Sequence, residues 1–107
     1  MTKKKASAQL KKARKLIEKG WARGTTHIVS NGVDHYCSIG ALQQVIGGAH
    51  DIYPEDSIMY EKCFGYLAQE VGHSIVYFND RPTTTKSMVL EMYDKAIAKA
   101  IEDETSS

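Results

Sequence analysis

The segment GTTHIVSNGVDHYCSIGAL, residues 24–42, decides the fold. Asn31-Gly32 stands between two partly alternating, β-branched runs. Both central residues of a type I′ turn need φ > 0, and Asn-Gly is the pair that meets this best, so the segment predicts a β-hairpin. The expected strands are 26–30 and 33–37, pairing Ser30 with Val33, Val29 with Asp34, Ile28 with His35, His27 with Tyr36 and Thr26 with Cys37. Opposed residues share a face. Ile28, Val33, His35 and Cys37 therefore lie together, and His27, Val29, Asp34 and Tyr36 lie on the other side. An isolated hairpin is marginal in water, so this one must pack on helices.

Helices are legible on both sides of it. SIGALQQVIGG continues as a short helix with Ile39, Leu42, Val45 and Ile46 facing inward, Ser38 as a cap and Gly47-Gly48 as its end. Gly40 and Ala41 allow another element to approach closely. Upstream, Leu10, Ala13, Leu16, Ile17 and Trp21 recur at spacings of three and four from an N-cap at Ser7 to a stop at Gly20 or Gly24. Trp21, the one tryptophan, anchors that end of the core. Downstream, a third helix runs from Asp56 or Ser57 to Val71, burying Ile58, Met59, Cys63, Tyr66, Leu67 and Val71, and Gly72 closes it. SIVYF (74–78) has β propensity but is too short to separate a strand from a helical turn. NDRPTTT reads as a turn, and Thr85 caps a last helix to about residue 102, with Met88, Val89, Met92, Tyr93, Ala96, Ile97, Ala100 and Ile101 in a 3.6 period. The expected architecture is mainly α: a compact four-helix domain with one short β-hairpin between helices 1 and 2. It forms one domain over 1–107, with flexible tails at 1–5 and 103–107.

A chain of 107 residues, 42% hydrophobic and 25% charged, has the composition of a soluble globular domain with a single modest core. No stretch approaches the roughly 18–20 apolar residues of a membrane span. The basic N-terminus lacks an apolar h-region, so no secretory signal is expected and a cytoplasmic location follows. Cys37 and Cys63 are expected as free thiols. The net charge of +1 hides an asymmetry, because residues 1–23 carry nine Lys/Arg and one acid while the remainder carries five and twelve. Such a split marks either a surface for an acidic partner or a first helix that lies across the acidic body and neutralises it.

Several chemistries can be weighed on particular residues. A thiol at the N-terminus of a helix sees the positive end of the dipole, so Cys37 is a candidate nucleophile, with His35 on its hairpin face and His73, Asn79 or Asp80 as further members. The competing reading is a buried structural thiol with Asn79-Asp80 as turn residues, and it is preferred. That reading expects Ile28, Val33 and Ile39 to shield the thiol and raise its pKa. No CxxC, HxxxH or HExxH occurs, and His27, His35, His50 and His73 are scattered, so neither metal nor cofactor is expected. Gly47-Gly48 ends a helix rather than opening one and is no phosphate cradle. The lysines of the first helix, Lys11 and Lys15 among them, are candidate partner contacts, though no helix-turn-helix or other reading motif accompanies them. Tyr36, Tyr53 and Tyr60 around the hairpin and central loop, with Trp21, Asn79 and Asp80, are candidate ligand or partner contacts, the rings because they pair an apolar body with a polar tip.

LKKARKLIEKGW, then YCSIGAL, then YFNDRPTTTKSMVLEMYDKAI, in this order and spacing, resemble a domain-of-unknown-function family of small actinobacterial and bacteriophage proteins. The pattern carrying the resemblance is Gly20-Trp21, then Cys37, Gly40 and Ala41, then Asn79-Asp80, and Thr85 with Val89. Phe78 stands where the family has Trp before Asn-Asp, and Met88 where it has the acid of a capping box. The resemblance implies a phage- or mobile-element-related setting in a bacterial host. The expected function is a small non-enzymatic binding or regulatory protein that engages a host protein or sequesters a small ligand such as a nucleotide. The alternatives are a cysteine-dependent hydrolase or transferase using Cys37 and a nucleic-acid-binding accessory protein using the basic first helix.

Overall fold

Asn31 and Gly32 both take positive φ, 52° and 74°, and the chain reverses there as the turn chemistry requires. The computed structural model describes residues 5–46, 54–72 and 74–106. Their elements are α1 (Ala6–Lys19), β1 (His27–Ser30), β2 (Val33–Tyr36), α2 (Ser38–Ile46), α3 (Pro54–Val71), α4 (Ile75–Asp80) and α5 (Lys86–Thr105). The two strands pair antiparallel in the expected register, His27 with Tyr36 through Ser30 with Val33. Each is one residue shorter than expected, though the Cys37 amide still donates to the Thr26 carbonyl at 3.1 Å, a bond of the expected Thr26–Cys37 pair, before the chain turns into α2.

The described residues form five helices where four were expected. The addition is α4, in the segment whose sequence left strand and helical turn open. Ser74 caps it by accepting the Tyr77 amide, and Ile75, Phe78 and Asn79 turn into the core. Asn79 and Asp80 therefore belong to a helix and not to the expected turn. Thr85 caps α5 as expected, its hydroxyl accepting the Met88 amide at 3.2 Å. Gly72 ends α3 with φ 71°.

The core lies where α5 packs against α1 and α3, with α2 laid on α1. Leu10, Ile17, Leu42, Leu67, Val89 and Tyr93 are its largest wholly enclosed members. Tyr93 turns its hydroxyl to the Ser38 carbonyl at 2.6 Å, so the polar tip of the core's largest ring is satisfied. Burial in the core holds that phenol well above its ordinary pKa.

Several sequence expectations are corrected. Ser7 does not cap α1; Lys5 precedes the helix without a side-chain cap, and Ser7 lies inside it. Glu104 of α5 does the capping, accepting the Ser7 amide at 3.1 Å and its hydroxyl at 2.6 Å. A carboxylate at a helix N-terminus satisfies donors that have no partner within the helix. For the same reason the acidic end is not a free tail: α5 runs on to Thr105, and Asp103 accepts the Tyr66 hydroxyl at 2.8 Å. Ser38 is the first residue of α2 rather than its cap. Ile58 is 69% exposed because it falls on the face of α3 away from Cys63 and Leu67, and Ile101 is exposed at the margin of the apolar stripe of α5. Gly47-Gly48 lies outside the described residues.

Candidate functional site

The side chain of Asn79 organises the place where the three sequence blocks meet. Its Oδ1 accepts from the Trp21 indole Nε1 at 2.8 Å, the Ser38 amide at 2.9 Å and the Ser38 hydroxyl at 2.7 Å. Its Nδ2 donates to the Ala22 carbonyl at 3.0 Å and to Asp80 Oδ1 at 2.9 Å. Asp80 Oδ1 also accepts the Gly24 amide at 2.9 Å. One buried amide thus ties the chain after α1, the first residue of α2 and the end of α4 to each other. Every polar atom of that amide is engaged, which leaves it no hydrogen-bonding capacity for a substrate.

Trp21 reaches this point because α1 stops at Gly20. The Gly20 amide closes on the Leu16 carbonyl, then its own carbonyl accepts the Tyr36 amide while the Ala22 amide donates to the Tyr36 carbonyl. Residues 20–22 so lie beside β2 as a third, very short strand segment. A Cβ at residue 20 would sit 2.5 Å from the Asp34 carbonyl oxygen and 2.9 Å from His35 Nδ1, so the close approach needs glycine. Arg23 lies 4.9 Å over the Trp21 ring and donates to the Thr84 carbonyl. The ring is half-buried and bracketed by a cation and an amide, as an anchor of the core's edge is.

Cys37 is buried at the cap position of α2. Its Sγ accepts the Gly40 amide at 3.2 Å, and its carbonyl accepts the Ala41 amide at 3.0 Å. The Thr26 backbone lies so close to this first turn that a Cβ at residue 40 would sit 2.0 Å from the Thr26 oxygen. The Cys-x-x-Gly spacing therefore has a structural cause: the thiol receives the N–H three residues on, and the glycine admits the hairpin. Burial of Cys37 is as expected, but its cause is not. Ile28 and Val33 share its face yet are 52% and 41% exposed, so they do not shield it. Cys37 lies against the Thr26 backbone, whose carbonyl accepts its amide at 3.1 Å, and with Thr26, Ile39, Val76 and Asp80 it borders a pocket of about 190 Å³.

The expected site residues divide accordingly. Trp21, Asn79 and Asp80 meet at one junction, with Cys37 beside it and Tyr36 next to it through the bridge to Trp21. His35 is half-buried against Gly20, and among the described residues no hydrogen bond joins its ring to Cys37 or Asn79. Tyr36 stacks on His27 at 4.7 Å, and His27 Nε2 pairs with Asp34 at 2.7 Å. Burial, with Asp34 nearby, pushes the Tyr36 phenol up. Tyr60 lies on α3, tilted against Phe64 at 6.2 Å, and no ring contact joins it to Tyr36. Lys11 and Lys15 stand exposed on α1. Tyr53 and His73 lie outside the described residues. Sequence reasoning missed Ser38, Arg23 and Thr84 as members of this network; an arginine two residues after the tryptophan carried no signal of it. Among the described residues, no group of three His, Cys, Asp or Glu side chains is placed to hold a metal ion.

These features define a mainly helical domain in which buried Asn79, with half-buried Asp80 beside it, locks a hairpin and two helices together. The chain belongs to a family of unknown function (DUF6197), which matches residues 1–99. No curated protein and no solved structure matches it. No helix among the described residues is long and apolar enough to cross a membrane.

Proposed function

We propose that this is a non-enzymatic binding protein whose hairpin captures an extended segment of a host protein. The observation that carries the reading is the unsupported apolar arm: Ile28, Val29 and Val33 are 52%, 59% and 41% exposed, on both faces of the hairpin. The short 20–22 segment lies on the β2 side, so among the described residues the outer edge of β1 has no neighbouring strand. An exposed strand edge flanked by apolar side chains is suited to adding a strand from a partner. Fully burying a Val or Ile is worth about 1.5–3 kcal/mol, so covering these three half-exposed side chains supplies about 2–4 kcal/mol beyond the backbone hydrogen bonds.

The cysteine chemistry has no comparable support. Cys37 caps a helix, and the amide of Asn79 is fully engaged. The pocket beside Cys37, at about 190 Å³, is smaller than the roughly 300–1,000 Å³ of small-molecule sites, which disfavours a nucleotide there. A host-protein partner accords with the phage and actinobacterial proteins that the sequence resembles.

The test is capture from lysate of a bacterial host by the wild-type chain and by an Ile28→Lys/Val29→Lys variant with unchanged helical circular dichroism. Lysines on a strand edge oppose pairing. A specific protein retained by the wild type and lost from the variant supports the reading. Equal retention by both, or loss of that protein with Cys37→Ser alone, overturns it.

A further inference from the structure

On the opposite side of the charge balance from the acidic body, α1 carries Lys11, Lys12, Lys15 and Lys19, all exposed. Among the described residues none of the four has an ion-pair or hydrogen-bond partner. At 3.6 residues per turn they fall within an arc of about 100°, along about 12 Å of helix axis. Ala8 is the residue between them on that arc, so no large apolar or aromatic side chain interrupts it. The acid of this helix, Glu18, sits at the margin and is held by Arg14 at 2.8 Å. Arg14 in turn pairs with Asp94 of α5 at 2.6 Å, so it is Arg14, rather than these lysines, that forms the ion pair from α1 to α5. On the other flank α2 packs against α1 and has no charged residue. Only two acids, Glu18 and Asp34, occur in residues 1–46, and Asp34 is paired with His27.

We infer that this face of α1 binds the phosphate backbone of duplex nucleic acid without reading sequence. The side-chain chemistry favours this partner over an acidic protein. Protein interfaces are depleted in lysine and need a buried aromatic or apolar anchor, which this arc lacks. Single strands call for stacking aromatics, which it also lacks. Duplex DNA presents a charge about every 1.7 Å of its axis, so the stripe of about 12 Å faces about seven phosphates and neutralises up to four. The twelve acids outside residues 1–23 oppose long-range attraction, but at physiological salt the Debye length is about 8 Å, so charges across the molecule are largely screened. Its smallest principal extent is 21 Å.

The experiment is fluorescence anisotropy of the full chain with a labelled 20-base-pair duplex, in two unrelated sequences, from 50 to 200 mM salt. Four lysines contribute a slope of about −3.6 in log K against log salt, an affinity loss of about 150-fold over that range. Lys12→Gln/Lys15→Gln/Lys19→Gln should reduce the slope's magnitude by about three, and the corresponding Lys→Arg variant should preserve it. Both sequences should bind equally. No binding at 50 mM, an unchanged slope in the Gln variant, or stronger capture of an acidic polypeptide than of the duplex overturns the inference. The Ile28→Lys/Val29→Lys variant should not lose duplex binding, which separates this face from the hairpin reading.

Discussion

Removing the amide of Asn79 tests whether the central junction is architecture. Asn79→Ala withdraws five hydrogen bonds from a side chain that is 1% exposed. The half-buried indole of Trp21 can reach water, and the wholly buried Ser38 hydroxyl loses the partner it has in Asn79. The Ser38 amide and the Ala22 carbonyl have no such escape, since both residues are buried. Leaving a buried donor or acceptor unmade costs about 1–3 kcal/mol, so two of them, with part of the others, give about 3–5 kcal/mol. That is a large fraction of the roughly 5–15 kcal/mol that holds a domain of this size together. Urea unfolding followed by Trp21 fluorescence and by helical circular dichroism reads the loss. Ser38→Ala should cost less, about 1 kcal/mol, and the double variant should fall short of the sum because both changes break the same bond. A loss below 1 kcal/mol for Asn79→Ala, or strict additivity with Ser38→Ala, would refute this account and free Asn79 for a chemical role.

Other perturbations test the remaining parts. Gly40→Ala places a Cβ against the Thr26 backbone, and overpacking of that kind should lower stability by about 1–3 kcal/mol in chemical denaturation. Ile97→Ala, in the α5 face that meets the core, should cost roughly 2–5 kcal/mol, and a change under half a kcal/mol would show that helix to be peripheral. Burial pushes the Glu104 carboxyl up, but hydrogen bonds from the Ser7 hydroxyl and amide, with Lys5 and Lys62 nearby, outweigh this and hold it below its ordinary value of 4.5. Its contribution is therefore full above pH 4.5 and is lost as pH falls through the lower folded value. Thermal melts from pH 6 to 2 should show that loss in the wild type and a flatter acid limb in Glu104→Gln. Cys37 in the native protein should react with a thiol reagent far more slowly than in urea, and labelling as fast as in urea would contradict its burial.

The hairpin was legible because its information is local: Asn31-Gly32 specifies the turn, and the period of two then fixes every pair in the register. Thr85 was legible for the same reason, since a cap and its recipient amide are three residues apart. What was not legible depended on distant chain. Nothing near Ser7 announces that its partner is Glu104, 97 residues away. The segment 74–78 became helical because Ser74 caps it and because Ile75, Phe78 and Asn79 find the core together at helical spacing, which a five-residue propensity reading cannot resolve. Alternation told which hairpin residues share a face, yet not whether anything covers that face. Ile28 and Val33 were therefore expected as a shield for Cys37 and stand in solvent instead. Trp21, Asn79 and Asp80 were expected, with Tyr36, Tyr53, Tyr60, Lys11 and Lys15, as ligand or partner contacts, and no local signal tied those three to each other. The structure shows them contacting one another.

The position of Cys37 explains why a residue type associated with catalysis occurs in a junction of this kind. A helix N-cap needs an acceptor for the amide two or three residues on, and an oxygen from Ser, Thr, Asp or Asn is the usual supplier. Here the cap is also enclosed, with Thr26 behind it and Ile39 following it. A hydroxyl there would bring a donor that itself requires a partner. A thiol accepts weakly and otherwise behaves as a small apolar group, so it meets both conditions at once. The adjoining residue completes the division of labour. Ser38 is wholly buried, and its hydroxyl has a dedicated acceptor in Asn79. The strong polar group is thus placed where a partner exists, and the weak one where none is needed. Catalysis would make the opposite demand of Cys37: an accessible sulfur and an imidazole beside it. Capping uses the sulfur toward Gly40, and His35 is packed against Gly20. The features that make the cap stable thus commit the sulfur to the Gly40 amide and hold the His35 ring against Gly20 instead.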